Sequence, residues 1–232
     1  MSRTAPACHN PRVGTQAAFP LQAATDSFES TGKSQAAINP LWIVVALTVL
    51  AAGLRFGTLD VQSAWLDESA TITLVHRGLR GMLSHLSSSE SAPPLYYVLV
   101  WAWTKVFGSS VVGFRSLSAL IGTITIPVMY AAGREVSSRV GLWLAALATV
   151  SPIMFYYSQE ARCYALLILF SAAAIVYWQR AMRAPDGRAL ALWSTMSVLA
   201  LLTHYFAVFL FAPEAILLLR QIGLRRMRAP II

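Results

Sequence analysis

Residues 111–133 read VVGFRSLSALIGTITIPVMYAAG, an apolar stretch of 23 residues in which Arg115 is the one charged side chain. A helix needs roughly 20 residues to cross the hydrocarbon core of a bilayer, so this stretch has the length and composition of a membrane span. Five further apolar runs occupy residues 41–56, 140–157, 163–179, 189–203 and 205–219. We therefore predict an all-α, polytopic transmembrane helical bundle with about six spans, the last two turning near His204.

The composition of the whole chain also indicates a membrane protein. Of its 232 residues, 56% are hydrophobic and only 12% are charged, whereas an ordinary soluble domain carries roughly 25% charged residues. This balance excludes a disordered protein, a nucleic-acid-binding domain and most soluble enzymes. The two cysteines, Cys8 and Cys163, lie in quite different settings, so the sequence indicates neither a disulfide framework nor a metal cluster.

The first 38 residues differ from the rest of the chain. They are rich in Ser, Thr, Ala, Gln and Pro and contain no apolar run. We predict that residues 1–38 form a disordered cytoplasmic tail. A cleavable signal peptide is not indicated, because no apolar stretch follows the start at the usual distance.

The net charge of +8 is informative through its placement. Lys and Arg are enriched in the cytoplasmic loops of membrane proteins. Twelve of the 18 basic residues fall in the tail, in two connections or after the last apolar run, and placing all of them inside is consistent with six spans. The N-terminus is then cytoplasmic, and the expected location is an inner (plasma) membrane. Three segments face outward: residues 57–110, residues 156–162 and the turn at His204.

The segment 93–108, PPLYYVLVWAWTKVFG, does not fit this count. It is apolar enough to be a span, but counting it as one would invert every later loop and place the arginine clusters outside. It is short and aromatic and carries Lys105. We predict an interfacial helix on the outer face, with a full span as the alternative.

Polar groups on the outward-facing segments are the candidate functional residues, because ionisable groups at membrane depth are costly. Asp67 and Glu68 stand in the sequence AWLDES, residues 64–69. Neighbouring carboxylates cannot share one helix face, which indicates that the two have different roles. The plain alternative is that Asp67 is a helix N-cap.

The segment 156–164, YYSQEARCY, is the densest polar and aromatic cluster. Glu160 and Arg162 can pair with each other or with partners on other helices, and the plain alternative is a loop anchor. Arg115 either extends toward the interface or binds a phosphate, whose oxygens match a guanidinium fork. His204 is either a polar anchor or a ligand.

Several motifs occur in a characteristic order: WLDES at 65–69, PPLYY at 93–97, GFRSLSALIGTITIPVMYAAGREV at 113–136, SPIMFYYSQEARCYAL at 151–166 and THYF at 203–206. This ordered set resembles the bacterial glycosyltransferase family 39 proteins, which are similar to the dolichyl-phosphate-mannose protein mannosyltransferases and the lipid A aminoarabinose transferases of the GT-C superfamily. The resemblance covers about residues 41–219. It implies a membrane enzyme that moves a sugar from a polyprenyl-phosphate donor to a hydroxyl of a protein, lipid or glycan on the outer side of the membrane. Nucleic acid is not an implied partner.

The same resemblance suggests roles for individual residues. Asp67 matches the acid of the first outer loop, the general base, and Glu68 completes that catalytic pair. The residues that would bind the substrate or its phosphate are Arg115, Glu160, Arg162, Tyr164 and His204.

The sequence departs from the family at one place. Members often carry His or Lys directly before the two prolines, where this chain has Ser91 and Ala92. We therefore predict no metal-ligand set, and a divalent cation is an option rather than a requirement.

The chemistry needs only two kinds of group. A lipid-phosphate sugar is already activated, so the enzyme must supply a base for the acceptor proton and a cation for the departing phosphate. A single attack from the opposite face would invert the anomeric centre. The sequence has no Gly-rich phosphate loop, which agrees with a lipid donor rather than a nucleotide.

Family members are usually about twice as long as this chain, so residues 39–232 are expected to be the N-terminal portion of a larger transmembrane domain. The alternatives are a non-catalytic or degenerate membrane protein and, with less support, a transporter. A transporter should show internal repeats, which we do not find in the sequence.

Overall fold

The computed structural model describes residues 39–89 and 93–228. The predicted disordered tail, residues 1–38, lies outside the described residues, as do Glu90, Ser91 and Ala92. The described part of the chain is helical and has no strand, as predicted. Its helices are α1 (Pro40–Phe56), α2 (Leu66–His76), α3 (Gly78–Ser89), α4 (Leu95–Phe107), α5 (Val111–Arg134), α6 (Ser138–Val150), α7 (Pro152–Ser158), α8 (Tyr164–Arg183), α9 (Gly187–Leu201) and α10 (Val208–Arg228).

All six predicted apolar runs are helical, but they differ in length. Three described helices are long and apolar enough to cross a membrane: Val111–Arg134, Tyr164–Arg183 and Tyr205–Gly223, which joins a short 3₁₀ turn to α10. Helices α6 and α7 make a fourth span if they are taken together. Helices α1 and α9 are apolar but have only 17 and 15 residues.

The run 140–157 is a broken helix rather than a kinked one. The axes of α6 and α7 differ by 59°. Pro152 is the first residue of α7, a position at which the missing N–H of proline leaves no helix hydrogen bond unmade. The same residue could not continue α6, because proline cannot donate the hydrogen bond that the helix interior requires. The Ser151 hydroxyl caps the new helix by accepting from the N–H of Met154. Pro127 and Pro213, by contrast, lie inside α5 and α10.

Helix α4 is the segment predicted to lie at the interface. It has 13 residues, which corresponds to about 20 Å, less than the roughly 30 Å of a bilayer core. Its buried side chains include Tyr96, Tyr97 and Val100, and it packs against α2, α3 and α5. This length fits an interfacial helix better than a full span, and its position at the membrane surface stays a prediction.

Helix α5 is the centre of the bundle and packs against α1, α4, α6, α7 and α8. Small residues allow the closest of these contacts. A Cβ added to Gly133 of α5 would lie 2.7 Å from the Cα of Gly141 in α6, so the two backbones touch, as at many membrane helix interfaces. Helix α8 packs on α5 and carries α9 and α10 on its other side.

The predicted turn near His204 is confirmed. Helix α9 ends at Leu201, a 3₁₀ turn spans Tyr205–Ala207, and α10 begins at Val208. The Nδ1 atom of His204 accepts from the N–H of Phe206 at 3.2 Å. The turn lies at the start of α4, since the N–H of Leu95 donates to the carbonyl of Leu202 at 3.2 Å.

Candidate active site

A buried ion pair lies against the segment that joins α1 to α2. Arg115, near the start of α5, donates to both carboxylate oxygens of Glu68 in α2, from Nε at 2.8 Å and from Nη2 at 2.6 Å. The two side chains are only 2% and 1% exposed. Such a two-pronged geometry is the strong form of an arginine–carboxylate bond.

The other N–H groups of Arg115 bind the backbone that leads into α2. Nη1 donates to the carbonyls of Leu59 and Gln62, and Nη2 also donates to the carbonyl of Ser63. All five N–H donors of the guanidinium therefore have an oxygen partner. Binding of a substrate phosphate by Arg115 stays a prediction, and in this conformation such binding would require exchange of one of these bonds.

Glu68 is likewise saturated. Besides Arg115, its carboxylate accepts from the N–H of Ala161 at 2.9 Å and from the N–H of Trp65 at 3.1 Å. Burial alone would raise the pKa of Glu68, but the hydrogen bonds from Arg115, Ala161 and Trp65 together lower it below the ordinary value of 4.5. Glu68 thus holds the start of α2 and the turn before α8 in place, and its catalytic role stays a prediction.

Asp67 lies next to this pair but faces the other way. Asp67 is exposed whereas Glu68 is buried, as expected for neighbouring residues of a helix, which point in different directions. The N-cap interpretation of Asp67 is wrong, because α2 begins at Leu66 and its N-cap is Trp65. The carboxylate of Asp67 is in the first helical turn, where the helix dipole favours a negative charge.

The exposed side of α2 forms one wall of an open groove of about 630 Å³. Arg162 contributes from the turn before α8, and its Nη1 donates to the backbone carbonyl of Asp67 at 3.3 Å. A carboxylate and a guanidinium therefore share one accessible cavity. Its lining residues are Leu66, Asp67, Ser69, Ala70, Thr73, Leu74, Arg77 and Arg162.

Glu160 is the second carboxyl of this region and is half-buried. Burial raises the pKa of Glu160, and the negative charges of Glu68 and Asp67 add to that rise. A hydrogen bond from the Tyr156 hydroxyl and the charge of Arg162 oppose it without cancelling it. The region thus holds the exposed Asp67 and a second carboxyl, Glu160, whose pKa is raised above its ordinary value. Carboxyl groups in such different environments are typical of acid–base sites.

Tyr164 and His204 extend the site as a row of aromatic rings. The Tyr164 ring lies 4.8 Å from that of Tyr157 and 6.1 Å from that of His204, centroid to centroid. The structure therefore brings both residues to the end of the bundle that carries Glu160. Their contact with a substrate stays a prediction.

The sequence reasoning missed Arg55, the one charge in the run 41–56. Its side chain is fully buried, and it donates to the Ser158 hydroxyl at 3.1 Å and to the carbonyl of Ala148 at 3.2 Å. Its own carbonyl accepts from Gln159 Nε2 at 2.7 Å. Arg55 therefore holds the turn before Glu160 from one side, as Glu68 holds Ala161 from the other. A charged residue inside an apolar run was the signal that could have identified it.

Arg77 was missed as well, although its spacing from Asp67 could have revealed it. Residues at i, i+3, i+7 and i+10 share a helix face, which places Asp67, Ala70, Leu74 and Arg77 along the groove. Ten residues of helix correspond to about 15 Å, so Arg77 lies at the far end of the groove from Asp67.

A metal site would need several His, Cys, Asp or Glu side chains close together. Within residues 39–89 and 93–228, no three side chains of His, Cys, Asp or Glu come together in a way that could hold a metal ion.

The comparisons with known proteins agree with the motifs. A family model described as dolichyl-phosphate-mannose-protein mannosyltransferase matches residues 91–232, more than half of the chain. The match starts after α2, so Asp67 and Glu68 lie outside it. Neither a curated protein nor a solved structure matches the chain significantly.

Proposed function

Because the chain belongs to the dolichyl-phosphate-mannose-protein mannosyltransferase family, and is therefore a membrane glycosyltransferase of the GT-C type, we propose that it transfers a sugar from a polyprenyl-phosphate donor to an acceptor hydroxyl at the end of the bundle that carries α2. The observation that supports this most directly is the groove in which the exposed Asp67 lies beside Arg162. A base and a cation in one accessible cavity are the two groups that the reaction needs.

The proposed reaction is one displacement at the anomeric carbon. The acceptor oxygen forms a bond to that carbon while the bond from the carbon to the phosphate oxygen breaks. The acceptor proton moves to the carboxylate of Asp67, and the polyprenyl monophosphate leaves with the electron pair of the broken bond. Arg162 would stabilise the charge that develops on this phosphate, and the anomeric configuration is inverted.

The remaining residues would position these two. Arg115 and Glu68 fix the start of α2, and with it the direction of the Asp67 side chain. Glu68 and Arg55 fix the turn that carries Glu160 and Arg162. These hydrogen bonds matter for the proposed catalysis, because a displacement of about 1 Å at the reacting atoms can lower the rate about 100-fold.

The test is transfer of radiolabelled sugar from polyprenyl phosphate in membranes that contain the full chain or the longest reading frame that includes it. We expect Asp67→Asn to lower the transfer rate at least about 100-fold, the usual contribution of a general base. The matched control is Asp60→Asn, an equally exposed acid of the same loop, which should leave the rate within about twofold.

The outcomes separate three interpretations. Full activity of Asp67→Asn together with loss of activity in Glu160→Gln would transfer the role of base to Glu160. Full activity of both variants would refute the proposed base altogether. Absence of transfer in the parent protein, with every polyprenyl-phosphate sugar tried, would favour the non-catalytic alternative.

A further inference from the structure

A second group of arginines lies at the opposite end of the bundle from the candidate active site. Helix α5 runs from Arg115 at the active-site end to Arg134, a rise of roughly 28 Å. Helix α8 runs in the reverse direction, from Tyr164 to Arg180 and Arg183. The far end of these two membrane-spanning helices is therefore rich in positive charge.

Two clefts open beside Arg180 at this end. One has a volume of about 310 Å³ and is lined by Tyr177, Arg180, Asp186, Arg188, Ala189 and Leu192. The other has a volume of about 340 Å³ and is lined by Tyr130, Ala131, Arg134, Glu135 and Arg180. Each cleft thus combines two guanidinium groups with a tyrosine and apolar side chains.

The acids near these clefts are already engaged. Glu135 accepts from Arg180 at 2.8 Å and from Arg183 at 2.6 Å, so one carboxylate serves two cations. The carboxylate of Asp186 caps α9 by accepting from the N–H of Ala189. Arg134 and Arg188 are exposed, and neither has a carboxylate partner among the described residues.

We propose that this pair of clefts binds the phosphate-bearing head group of an anionic phospholipid. Arg134 supplies one cleft, and Arg188 the other, with a guanidinium that pairs with no carboxylate among the described residues. Guanidinium forks match phosphate oxygens. Arg180 stands between the clefts and lies over the ring of Tyr177, 5.5 Å from its centroid. Basic pockets between the ends of spanning helices are favourable sites for anionic head groups.

The position of the clefts favours a lipid over a soluble phosphate. They lie at the ends of α5 and α8, two helices with the length and hydropathy of membrane spans. In a membrane, the head groups of the surrounding lipids lie at the level of these clefts, whereas a soluble anion has to bind from bulk water. The site is independent of the proposed transfer reaction, because it lies at the other end of the same helices.

The test uses the purified full chain in neutral detergent micelles, titrated with fluorescently labelled phosphatidylglycerol. We expect the double variant Arg134→Gln/Arg188→Gln to weaken binding about tenfold, since one charge-assisted hydrogen bond is worth about that factor. This variant keeps the Glu135 ion pairs. The control, Arg80→Gln/Lys105→Gln, removes the same charge from two exposed residues of α3 and α4 and should leave binding within about twofold.

Three results would overturn the proposal. Equal weakening by both double variants would show attraction by net charge alone. Displacement of the labelled lipid by inorganic phosphate at equal concentration would indicate a soluble ligand. Equal affinity for phosphatidylcholine would show that the anionic head group is not recognised. A melting temperature measured for each variant identifies any loss of affinity that comes from misfolding.

Discussion

At the scale of single residues, Glu68 connects three parts of the chain that are distant in sequence. Its carboxylate receives hydrogen bonds from α5, from the turn before α8 and from the start of its own helix. Replacing it by glutamine removes the negative charge that compensates the buried Arg115. Breaking a buried pair in this way costs about 3–5 kcal/mol, so we expect Glu68→Gln to lower the melting temperature clearly.

The pH dependence of this effect has a definite sign. The folded-state pKa of Glu68 is below its ordinary value of 4.5, so its contribution to stability is complete above pH 4.5 and is lost as the pH falls through the lower folded pKa. Thermal unfolding in detergent between pH 3 and pH 7 measures this directly. The parent protein should lose stability below about pH 4.5, and the Glu68→Gln variant should lack that part of the loss.

The neighbouring acid supplies the control. Asp67→Asn makes the same chemical change at an exposed position and should alter stability by no more than about 0.5 kcal/mol. Equal destabilisation by the two variants would contradict the positioning role of Glu68. Together with the transfer assay, the pair separates a residue that acts in chemistry from one that holds the site.

At the scale of helices, the site depends on a close approach between α5 and the last residue of α7, Ser158. A Cβ added to Gly122 would collide with the side chain of Ser158, whose hydroxyl accepts from Arg55. We expect Gly122→Ala to displace Ser158, to break its bond with Arg55 and to destabilise the protein by about 1–3 kcal/mol.

Gly53 offers a matched substitution in another apolar helix. A Cβ at Gly53 meets nothing within 4 Å, and alanine is the better helix former by up to about 1 kcal/mol. Gly53→Ala should therefore leave the melting temperature unchanged or raise it. A Gly122→Ala variant that is as stable as Gly53→Ala would show that α7 can move away without cost.

The helices were largely predictable from the sequence, because each apolar run is a local signal. The turn near His204 followed from a run too long for one span, and the all-α class followed from composition. The number of helices that cross the membrane was harder to predict from the sequence, because α1 and α9 have only 17 and 15 residues. The break inside the run 140–157, where Pro152 starts a new helix, did not follow from the apolar pattern either.

The connections within the site were not predictable in the same way. Glu68 and Arg115 are 47 residues apart, and Arg55 and Ser158 are 103 residues apart. No periodicity in one chain reveals such a pairing. For Arg115, extension toward the interface and phosphate binding were both left open, and its five internal acceptors were not anticipated. The different settings of Asp67 and Glu68 could be expected, because helix geometry alone separates the exposed Asp67 from the buried Glu68.

At the scale of the whole molecule, the two ends of the bundle differ in their charged groups. One end carries the acids Asp67, Glu68 and Glu160 beside Arg115 and Arg162. The other end carries Arg134, Arg180, Arg183 and Arg188 beside Glu135 and Asp186. If positive charge marks the cytoplasmic side, the candidate active site faces outward. This orientation is a prediction that the two ends of α5 can test. A helix of 24 residues is about 36 Å long, which is long enough to place its ends on opposite sides of a bilayer.

Single cysteines at the two ends of α5 decide the orientation. Ser109 precedes the helix and Ser138 follows it, and both are exposed. Ser138 is preferable to Ser137, whose hydroxyl caps α6 by accepting from the N–H of Val140. In a background with Cys8→Ser and Cys163→Ala, a membrane-impermeant maleimide should label Ser109→Cys in intact cells and Ser138→Cys only after permeabilisation. Labelling of Ser138→Cys in intact cells would invert the bundle and place the Asp67 groove on the cytoplasmic side, where the donor would have to be supplied from the inner leaflet.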